Sequence, residues 1–320
     1  MTGQAASEEK EETKLASDGV AVAKRLPKER GAEERATFRD YVSLLKLGIT
    51  FANLMSTFAG LWVGSHGRPG LIVSLYTLLG TALVVASGAA LNNFVDRDID
   101  YAMDRTKDRV VVTGRVPAHA ALVLGLTLGC VGIAMLVFFV NVIAAACAFV
   151  GLVVYAYVYS VWLKRTTTLN TVIGGLAGAM PPVIGFVAGS GGTLNVVTLA
   201  LFSMFFLWQP PHFLPLAMKR SEEYRAAGIP MLPVVRGYRE TKWQILSYTA
   251  AMVPVSLLLY GFGYEGTVYL LAALTLGVTF LVKSVQGLFA REDLVWAKKL
   301  FRFSLVYLIA MCIAMIASAM

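Results

Sequence analysis

The sequence predicts an all-α integral membrane protein built as a bundle of nine transmembrane helices, and three observations support this fold class. First, 57% of the 320 residues are hydrophobic and the mean hydropathy is +0.66, far above the values of soluble domains. Second, the chain contains nine apolar runs, each long enough to cross the hydrocarbon core of a bilayer. Third, only Arg68 among the 28 Lys and Arg residues falls on the outer side of the resulting topology, as the positive-inside rule requires.

The nine predicted spans alternate between short turns on the outer side and charged loops on the inner side. They cover residues 43–63, 71–94, 119–139, 142–163, 169–189, 196–217, 244–263, 266–286 and 300–319. Function should face the cytoplasm, because the outer connections are short and Gly-rich whereas the inner loops 95–118 and 218–243 are long and rich in charge. Since the basic residues flank the spans, the net charge of +8 reflects topology, and we expect no nucleic-acid partner.

Residues 1–39 differ from the transmembrane domain at 40–320. They hold eight basic and eight acidic residues and few large apolar ones, which predicts a disordered cytoplasmic tail. They contain no apolar run typical of a secretory signal. The acidic residues between Glu8 and Glu12 argue against a mitochondrial presequence, so we expect a bacterial cytoplasmic membrane with the N-terminus inside.

A row of acidic and amide side chains follows the second span, in the stretch NNFVDRDIDYAMDRTKDR at residues 92–109. Asn92, Asp96, Asp100 and Asp104 recur every four residues, which in a helix places them on one face roughly 6 Å apart along the axis. Carboxylates in such a row repel one another, and hard oxygen ligands suit a Mg²⁺ ion that bridges to substrate phosphates. The sequence therefore predicts a magnesium site at these four residues. The plainer alternative is a solvated helix end beyond the membrane.

Two sets of basic and polar residues accompany this predicted site. One set follows the acidic row directly and comprises Arg105, Lys107, Arg109 and Arg115. The other ends the fourth span and opens the fifth, in YSVWLKRTTTLN, and comprises Tyr159, Lys164, Arg165 and Asn170. Such side chains suit the oxygens of a diphosphate, and we expect both sets to bind one. Positive-inside charge and the helix dipole are the competing explanations for the same basic residues.

The end of the sixth span and the loop after it form a third candidate region, in WQPPHFLPLAMKRSEEYR. The three prolines at positions 210, 211 and 215 should break or kink the helix and open a cavity around His212. His212 is therefore predicted to bind a ligand or substrate, although a lone histidine in an apolar span is often a packing residue. Glu223 could supply a further metal-binding or acid–base oxygen. The remaining candidates for substrate binding in this region are Trp208, Lys219 and Tyr224.

These segments resemble the UbiA superfamily of intramembrane prenyltransferases, and within it the family that farnesylates heme. The resemblance is carried by NNFVDRDIDYAMDRTKDR, VTGRVP, YSVWLKRTTTLNTVIGGLAGAMPPVIGFVA and WQPPHFLPLAMKRSEEYRAAGIPMLPVV, and it covers essentially everything after residue 40. The chain departs from many superfamily members in one respect. A second DxxxD motif after the sixth span is replaced here by KRSEEYR, which leaves the ligands of a second metal ion open.

The resemblance implies a nine-helix bundle around a lipid-accessible cavity, with Mg²⁺ as cofactor. The implied reaction transfers farnesyl from farnesyl diphosphate to a vinyl group of heme b, and heme A synthase, the next enzyme, is a candidate partner beside membrane lipid. The implied catalytic residues are Asn92, Asp96, Asp100, Arg105, Lys164 and His212. The implied substrate-binding residues are Lys107, Arg109, Tyr159, Arg165, Asn170, Trp208, Lys219, Glu223 and Tyr224.

Three alternatives compete with this interpretation. The first is an enzyme that prenylates an aromatic quinone precursor, and His212 between prolines argues against it. The second is an ion-coupled transporter, whose carboxylates would line a path at mid-membrane depth instead of clustering at the inner face. The third is a non-catalytic heme carrier, which would need His212 but not a diphosphate site.

Overall fold

The computed structural model describes residues 36–320, which form thirteen helices. Nine of the helices in this part of the chain are long and apolar enough to cross a membrane, so the prediction of nine spans is confirmed. The long helices are α2 Leu47–Gly64, α3 Leu71–Val95, α5 Ala118–Phe139, α6 Val142–Thr166, α7 Asn170–Gly189, α8 Val196–Lys219, α11 Gly237–Gly261, α12 Thr267–Leu288 and α13 Asp293–Ser318. Helices α11 and α13 begin before the predicted apolar spans, because each helix also includes the charged residues that precede its apolar segment.

Four short helices lie in the connections on the same side as the charged loops. They are α1 Phe38–Leu44, α4 Arg97–Tyr101, α9 Ser221–Ala226 and α10 Leu232–Val235. Most of the predicted tail, residues 1–35, lies outside the described residues. The tail boundary at residue 39 falls inside α1, whose first turn is fixed by a capping box between Thr37 and Asp40.

Glycines bring α2 and α7 into backbone contact along half of their length. A Cβ atom at Gly60 would lie 2.0 Å from the carbonyl oxygen of Pro182, and one at Gly185 would lie 1.9 Å from the carbonyl oxygen of Thr57. Gly64 and Gly189 repeat this close approach one turn further along. Only glycine permits such separations, so these positions fix how the two helices pack.

The sequence predicts that the prolines break or kink the sixth span. Helix α8 runs unbroken through Pro210, Pro211 and Pro215, so the predicted break is wrong, and a kink stays a prediction. Packed spanning helices tolerate proline, because neighbouring groups satisfy the freed carbonyls. Helix α6 instead contains the irregular stretch, since residues Val154–Leu163 adopt a π-helix. π-helical segments widen the turn and occur frequently at functional sites.

Candidate active site

A cavity of about 540 Å³ lies inside the bundle between α2, α3, α6, α7, α8 and α13. Its walls are largely apolar, and its charged groups gather at the end where the long loops begin. We call this end of the bundle the site end, and the end that carries the turns around residues 65, 190 and 265 the closed end. A mostly apolar cavity with a few convergent polar groups is the usual form of a small-molecule site.

Asn92 and Asp96 form the centre of the charged group. The backbone keeps its helical hydrogen bond from Asp96 N to Asn92 O (2.9 Å), which places the two side chains one turn apart. The Asn92 amide donates to Asp96 Oδ2 (2.7 Å) and to Ser160 Oγ (3.1 Å), and Lys164 Nζ donates to the same Asp96 oxygen at 2.5 Å. Asp96 Oδ1 is buried without a hydrogen-bond partner among the described residues.

Asp100 lies one turn beyond Asp96 and is also buried, with its backbone N–H bonded to Asp96 O at 2.7 Å. The guanidinium of Arg109 donates to the Asp100 carboxylate. Burial raises the pKa of Asp100, and the nearby Arg109 charge acts in the opposite direction. Asp100 and Arg109 both line the cavity.

The row of four predicted metal ligands is incomplete, because the chain turns away after α4. Asp104 is exposed over 92% of its side chain and accepts a hydrogen bond from Lys107 at 2.7 Å. The prediction that Asp104 shares a face with the other three residues is therefore wrong. Lys107, predicted to bind substrate, is also outside the cavity.

The donor set that remains fits magnesium. Within residues 36–320, no three His, Cys, Asp or Glu side chains converge on one point. Mg²⁺ needs no such cage, since it commonly binds through one or two carboxylates together with substrate phosphates and water. Asp96 and Asp100 supply two carboxylates, and Asp96 Oδ1 is a buried acceptor without a donor in the described part of the chain.

Lys46 belongs to the same group, although the sequence analysis missed it. It joins α1 to α2 in a left-handed backbone conformation (φ 47°, ψ 56°), and its ammonium donates to Asn92 Oδ1 at 2.7 Å. Such a conformation costs a non-glycine residue of order 1 kcal/mol, so other contacts must maintain it. Burial lowers the pKa of Lys46 to about 8, and the Arg109 charge adds to this effect. A lysine ahead of an apolar span looks like ordinary positive-inside charge, so only its spatial neighbours identify it.

Arg165, predicted to bind a diphosphate, and Glu223, predicted to supply a metal-binding or acid–base oxygen, instead connect the loops. Arg165 donates to both oxygens of Asp98 (2.6 and 2.7 Å) and to Val95 O (3.0 Å), so it joins α6 to α4 rather than facing the cavity. Burial works to raise the pKa of Asp98, but the Arg165 hydrogen bonds and charge hold it below its usual value. Glu223 lies 3.6 Å from Arg105 and 3.8 Å from Arg220, so it links the two charged loops outside the cavity lining.

The π-helical part of α6 presents aromatic rings to the cavity. Tyr155 and Tyr159 stack with their ring centroids 5.9 Å apart, and both line the cavity. The Ser160 hydroxyl donates to Tyr155 O at 2.9 Å, and its oxygen accepts a hydrogen bond from the Asn92 amide. The wide turn therefore places these rings beside the charged group.

His212 lines the cavity with its ring held on both faces. Trp208 and Phe301 stack on it at centroid distances of 4.6 and 4.9 Å. Its Nδ1 lies 2.8 Å from Ser304 Oγ, and that hydroxyl donates its single proton to Phe301 O at 2.7 Å. Ser304 must therefore accept from Nδ1–H, which leaves the Nε2 lone pair free to bind a ligand.

The remaining predicted residues divide between the cavity and its surroundings. Trp208 and Tyr224 line the cavity, and Trp208 Nε1 donates to Ser304 O at 3.1 Å. Asn170 is fully buried behind the wall and accepts from Thr171 Oγ1 at 3.0 Å. Lys219 is exposed and does not line the cavity. Gln209, which the sequence analysis did not select, lines the cavity beside His212.

Comparison with known proteins places these residues in a family context. The model of the UbiA prenyltransferase family matches residues 53–306. A protein named protoheme IX farnesyltransferase from Alkalihalophilus pseudofirmus is 46% identical over 288 residues, which is 88% of this chain and 91% of that protein. Protoheme IX farnesyltransferase 2 of Bacillus subtilis is 40% identical over 291 residues, covering 89% of this chain and 93% of that protein.

Solved structures share the fold at lower sequence identity. A structure of digeranylgeranylglyceryl phosphate synthase superposes with a TM-score of 0.75 at 19% identity, covering 87% of this chain and 97% of that one. A UbiA homolog from Archaeoglobus fulgidus bound to GPP and Mg²⁺ gives a TM-score of 0.61, also at 19% identity, covering 87% of this chain and 99% of that one. At these identities the two structures show that the fold is shared.

Proposed function

The chain belongs to the UbiA prenyltransferase family, and from this premise we propose how its residues carry out one reaction. It is a protoheme IX farnesyltransferase: it transfers the farnesyl group of farnesyl diphosphate to a vinyl group of heme b, giving heme O and diphosphate. The observation that carries the mechanism is the buried group of Asn92, Asp96 and Lys164 at the charged end of an apolar cavity.

The first step is departure of the diphosphate from C1 of the farnesyl chain. Lys46, Lys164 and Arg109 line the site end of the cavity and supply cationic donors to the phosphate oxygens. Asp96 and Asp100 would hold a Mg²⁺ ion, which would supply further neutralisation of the leaving diphosphate. The related UbiA homolog bound to GPP and Mg²⁺ supports this assignment.

The second step is capture of the allylic cation. Breaking the C1–O bond leaves positive charge on the farnesyl chain, and an aromatic face such as that of Tyr159 stabilises a desolvated cation by about 2 kcal/mol. The π-electrons of the heme vinyl group form the new C–C bond to C1. The positive charge that this leaves on the vinyl-derived carbon takes up water, which loses a proton to give the hydroxyl group. No protein nucleophile is needed.

The acceptor is held at the other side of the cavity by His212. Its Nε2 lone pair is a suitable axial ligand for heme iron, and the Ser304 hydrogen bond at Nδ1 fixes the required tautomer. Replacing His212 with Phe keeps an aromatic ring but removes the nitrogen. We expect this change to shift the heme absorbance spectrum and weaken heme binding while farnesyl diphosphate binding stays unchanged. Identical heme absorbance spectra for His212→Phe and wild type would refute the assignment of His212 as the iron ligand.

The protein is a multi-pass membrane protein. We place it in the bacterial cytoplasmic membrane with the site end inside, because the described relatives are bacterial and the charged loops lie at that end. Association with heme A synthase would pass the product directly to the next enzyme. Labelling of introduced cysteines from either side of the membrane would test the orientation.

Turnover of purified protein with heme b, farnesyl diphosphate and Mg²⁺ tests the proposal, with products read by mass spectrometry. Asp96→Asn should abolish product formation, and so should chelation of the metal. Glu222→Gln is the matched control, because Glu222 is a carboxylate of the same charged loops with 82% of its side chain exposed. Farnesyl transfer to an aromatic acid but not to heme would indicate the quinone branch. Tight heme binding without product would indicate a carrier.

A further inference from the structure

A second recess, of about 940 Å³, opens beside the reaction cavity at the site end. It lies between α1, the residues that join α1 to α2, and the loop after α4. Its lining is rich in cationic side chains, namely Arg39, Lys46, Arg105, Arg109 and Arg115. Among residues 36–320, the acidic residues that share the lining are Asp40 and Asp108. The recess therefore favours an anionic ligand.

The wall of this recess is a built structure and not a set of loose surface side chains. Asp40 accepts from Thr37 N at 2.9 Å and from Thr37 Oγ1 at 2.6 Å, and its other oxygen receives Arg115 Nη1 at 3.0 Å. The Thr37 hydrogen bonds, with the charge of Arg115, hold the pKa of Asp40 below its usual value. The carboxylate is thus committed to holding Arg115 and the first turn of α1, which carries Arg39.

The recess adjoins the reaction cavity, and Lys46, Arg105 and Arg109 line both spaces. A ligand that reaches past these three side chains would occupy parts of each space. The cavity itself is largely apolar beyond its charged end. A ligand that spans the two spaces would combine a large apolar body with negatively charged groups on one edge.

Heme b has this form, since its two propionates lie on one edge of the macrocycle and its vinyl groups lie away from them. The proposed function, on which this inference rests, requires an anionic porphyrin and a diphosphate to bind at the same time. The Lys164–Asp96 group serves the diphosphate, which leaves the propionates without an assigned partner. We propose that the recess around Arg39 and Arg115 binds the propionate carboxylates of heme b.

This placement keeps the charged edge of heme at the membrane surface and its apolar ring inside the cavity. Arg is well suited to the task, because its planar guanidinium pairs with a carboxylate through two parallel hydrogen bonds. An anionic lipid headgroup is the other candidate occupant of a basic recess at a membrane surface. The three basic residues shared with the reaction cavity favour the substrate over a lipid headgroup.

The test compares heme b with its dimethyl ester, in which both propionates are neutral. Absorbance titrations of the full-length protein in detergent give the Kd of each ligand for wild type, Arg39→Lys, Arg39→Gln and the control Arg68→Gln at the closed end. We expect Arg39→Gln to weaken heme b binding about tenfold, as loss of a charge-assisted hydrogen bond does, and to leave ester binding unchanged. Arg39→Lys should lie between wild type and Arg39→Gln, and Arg68→Gln should match wild type.

Two results would overturn the proposal. Arg39→Gln could weaken the ester and heme b equally, which would indicate a general structural effect, or it could weaken neither. If Arg39→Gln weakens binding of neither ligand, loss of bound anionic lipid from this variant in native mass spectrometry would assign the recess to lipid. Turnover of the wild type separates this outcome from failure of the proposed function: a wild type that farnesylates heme while Arg39→Gln binds heme normally refutes the recess alone.

Discussion

Helices α2 and α7 pack backbone to backbone at the closed end and enclose the reaction cavity at the site end. Gly60 and Gly64 of α2 meet Pro182 and Phe186 at the closed end, so no side chain separates the helices there. Towards the site end, Gly48 of α2 has no heavy atom within 4 Å of its Cβ position. One pair of helices therefore provides both a rigid junction and a space for ligands.

The two ends also differ in how they accommodate a buried carboxyl group. At the site end, Asp96 and Asp100 are paired with Lys164 and Arg109. At the closed end, Glu265 is fully buried, and neither of its oxygens has a hydrogen-bond partner among the described residues. Burial raises the pKa of Glu265 to about 9, so it is held as the neutral acid. Buried carboxyl groups are thus paired with cations at the site end, whereas Glu265 at the closed end has no cationic partner among the described residues.

The largest expected effect comes from removing a cation at the site end. Lys164→Met leaves Asp96 buried without its partner and removes a diphosphate donor, so we expect kcat to fall by about 10²–10³-fold. Lys242→Met is the matched control, because Lys242 is equally buried (10% against 11% exposed) and pairs with Asp293 away from the cavity. Steady-state kinetics and thermal unfolding of both variants separate an effect on catalysis from an effect on stability. Equal losses of activity would mean that both lysines act only through stability.

The next effect concerns the closed end. Gly60→Ala forces a Cβ atom against a backbone oxygen that lies 2.0 Å away, and we expect a loss of about 3 kcal/mol or failure to fold. Gly48→Ala in the same helix meets nothing, so it should be neutral or stabilise by up to about 1 kcal/mol. Thermal unfolding in detergent measures both. A Gly60→Ala protein as stable as Gly48→Ala would contradict the close junction.

Glu265→Gln tests the buried neutral carboxyl through the pH dependence of stability. The folded state raises the Glu265 pKa from 4.5 to about 9, so the folded protein binds the extra proton and loses relative stability as pH rises between these values. This loss reaches about 3 kcal/mol by pH 7. The Gln variant does not titrate, so its advantage over wild type should grow from pH 5 to pH 8. If the difference between the unfolding temperatures of the two proteins stays constant from pH 5 to pH 8, a neutral Glu265 in the folded protein is ruled out.

The smallest effect is expected at Asp104, which is exposed and does not line the cavity. Asp104→Asn removes an exposed carboxylate that only pairs with Lys107, so kcat should change by less than about twofold. Asp100→Asn, one turn earlier in the chain, should lose most activity and its response to Mg²⁺. A loss of magnesium dependence in Asp104→Asn would restore the four-residue row that the sequence predicted.

The interpretation from sequence was accurate where a local pattern decides the outcome. Nine spans follow from apolar length, and the family follows from motifs such as NNFVDRDID and WQPPHF. The interpretation was wrong where one local sequence pattern is compatible with two different structures. The four-residue repeat assumed a continuous helix, but α4 ends at Tyr101 and releases Asp104 into solvent. Prolines that would break a soluble helix are accommodated inside α8.

Sequence alone determined the bundle, its charged end and the residue types proposed to bind a diphosphate, because hydropathy, charge and short motifs are local properties of the chain. Tertiary structure decided which charged groups meet. It brought Lys46 to Asn92, turned Arg165 towards Asp98, and fixed the His212 tautomer through Ser304 on α13. Each of these contacts joins residues distant in sequence, and its free energy depends on burial and distance, which no local pattern contains.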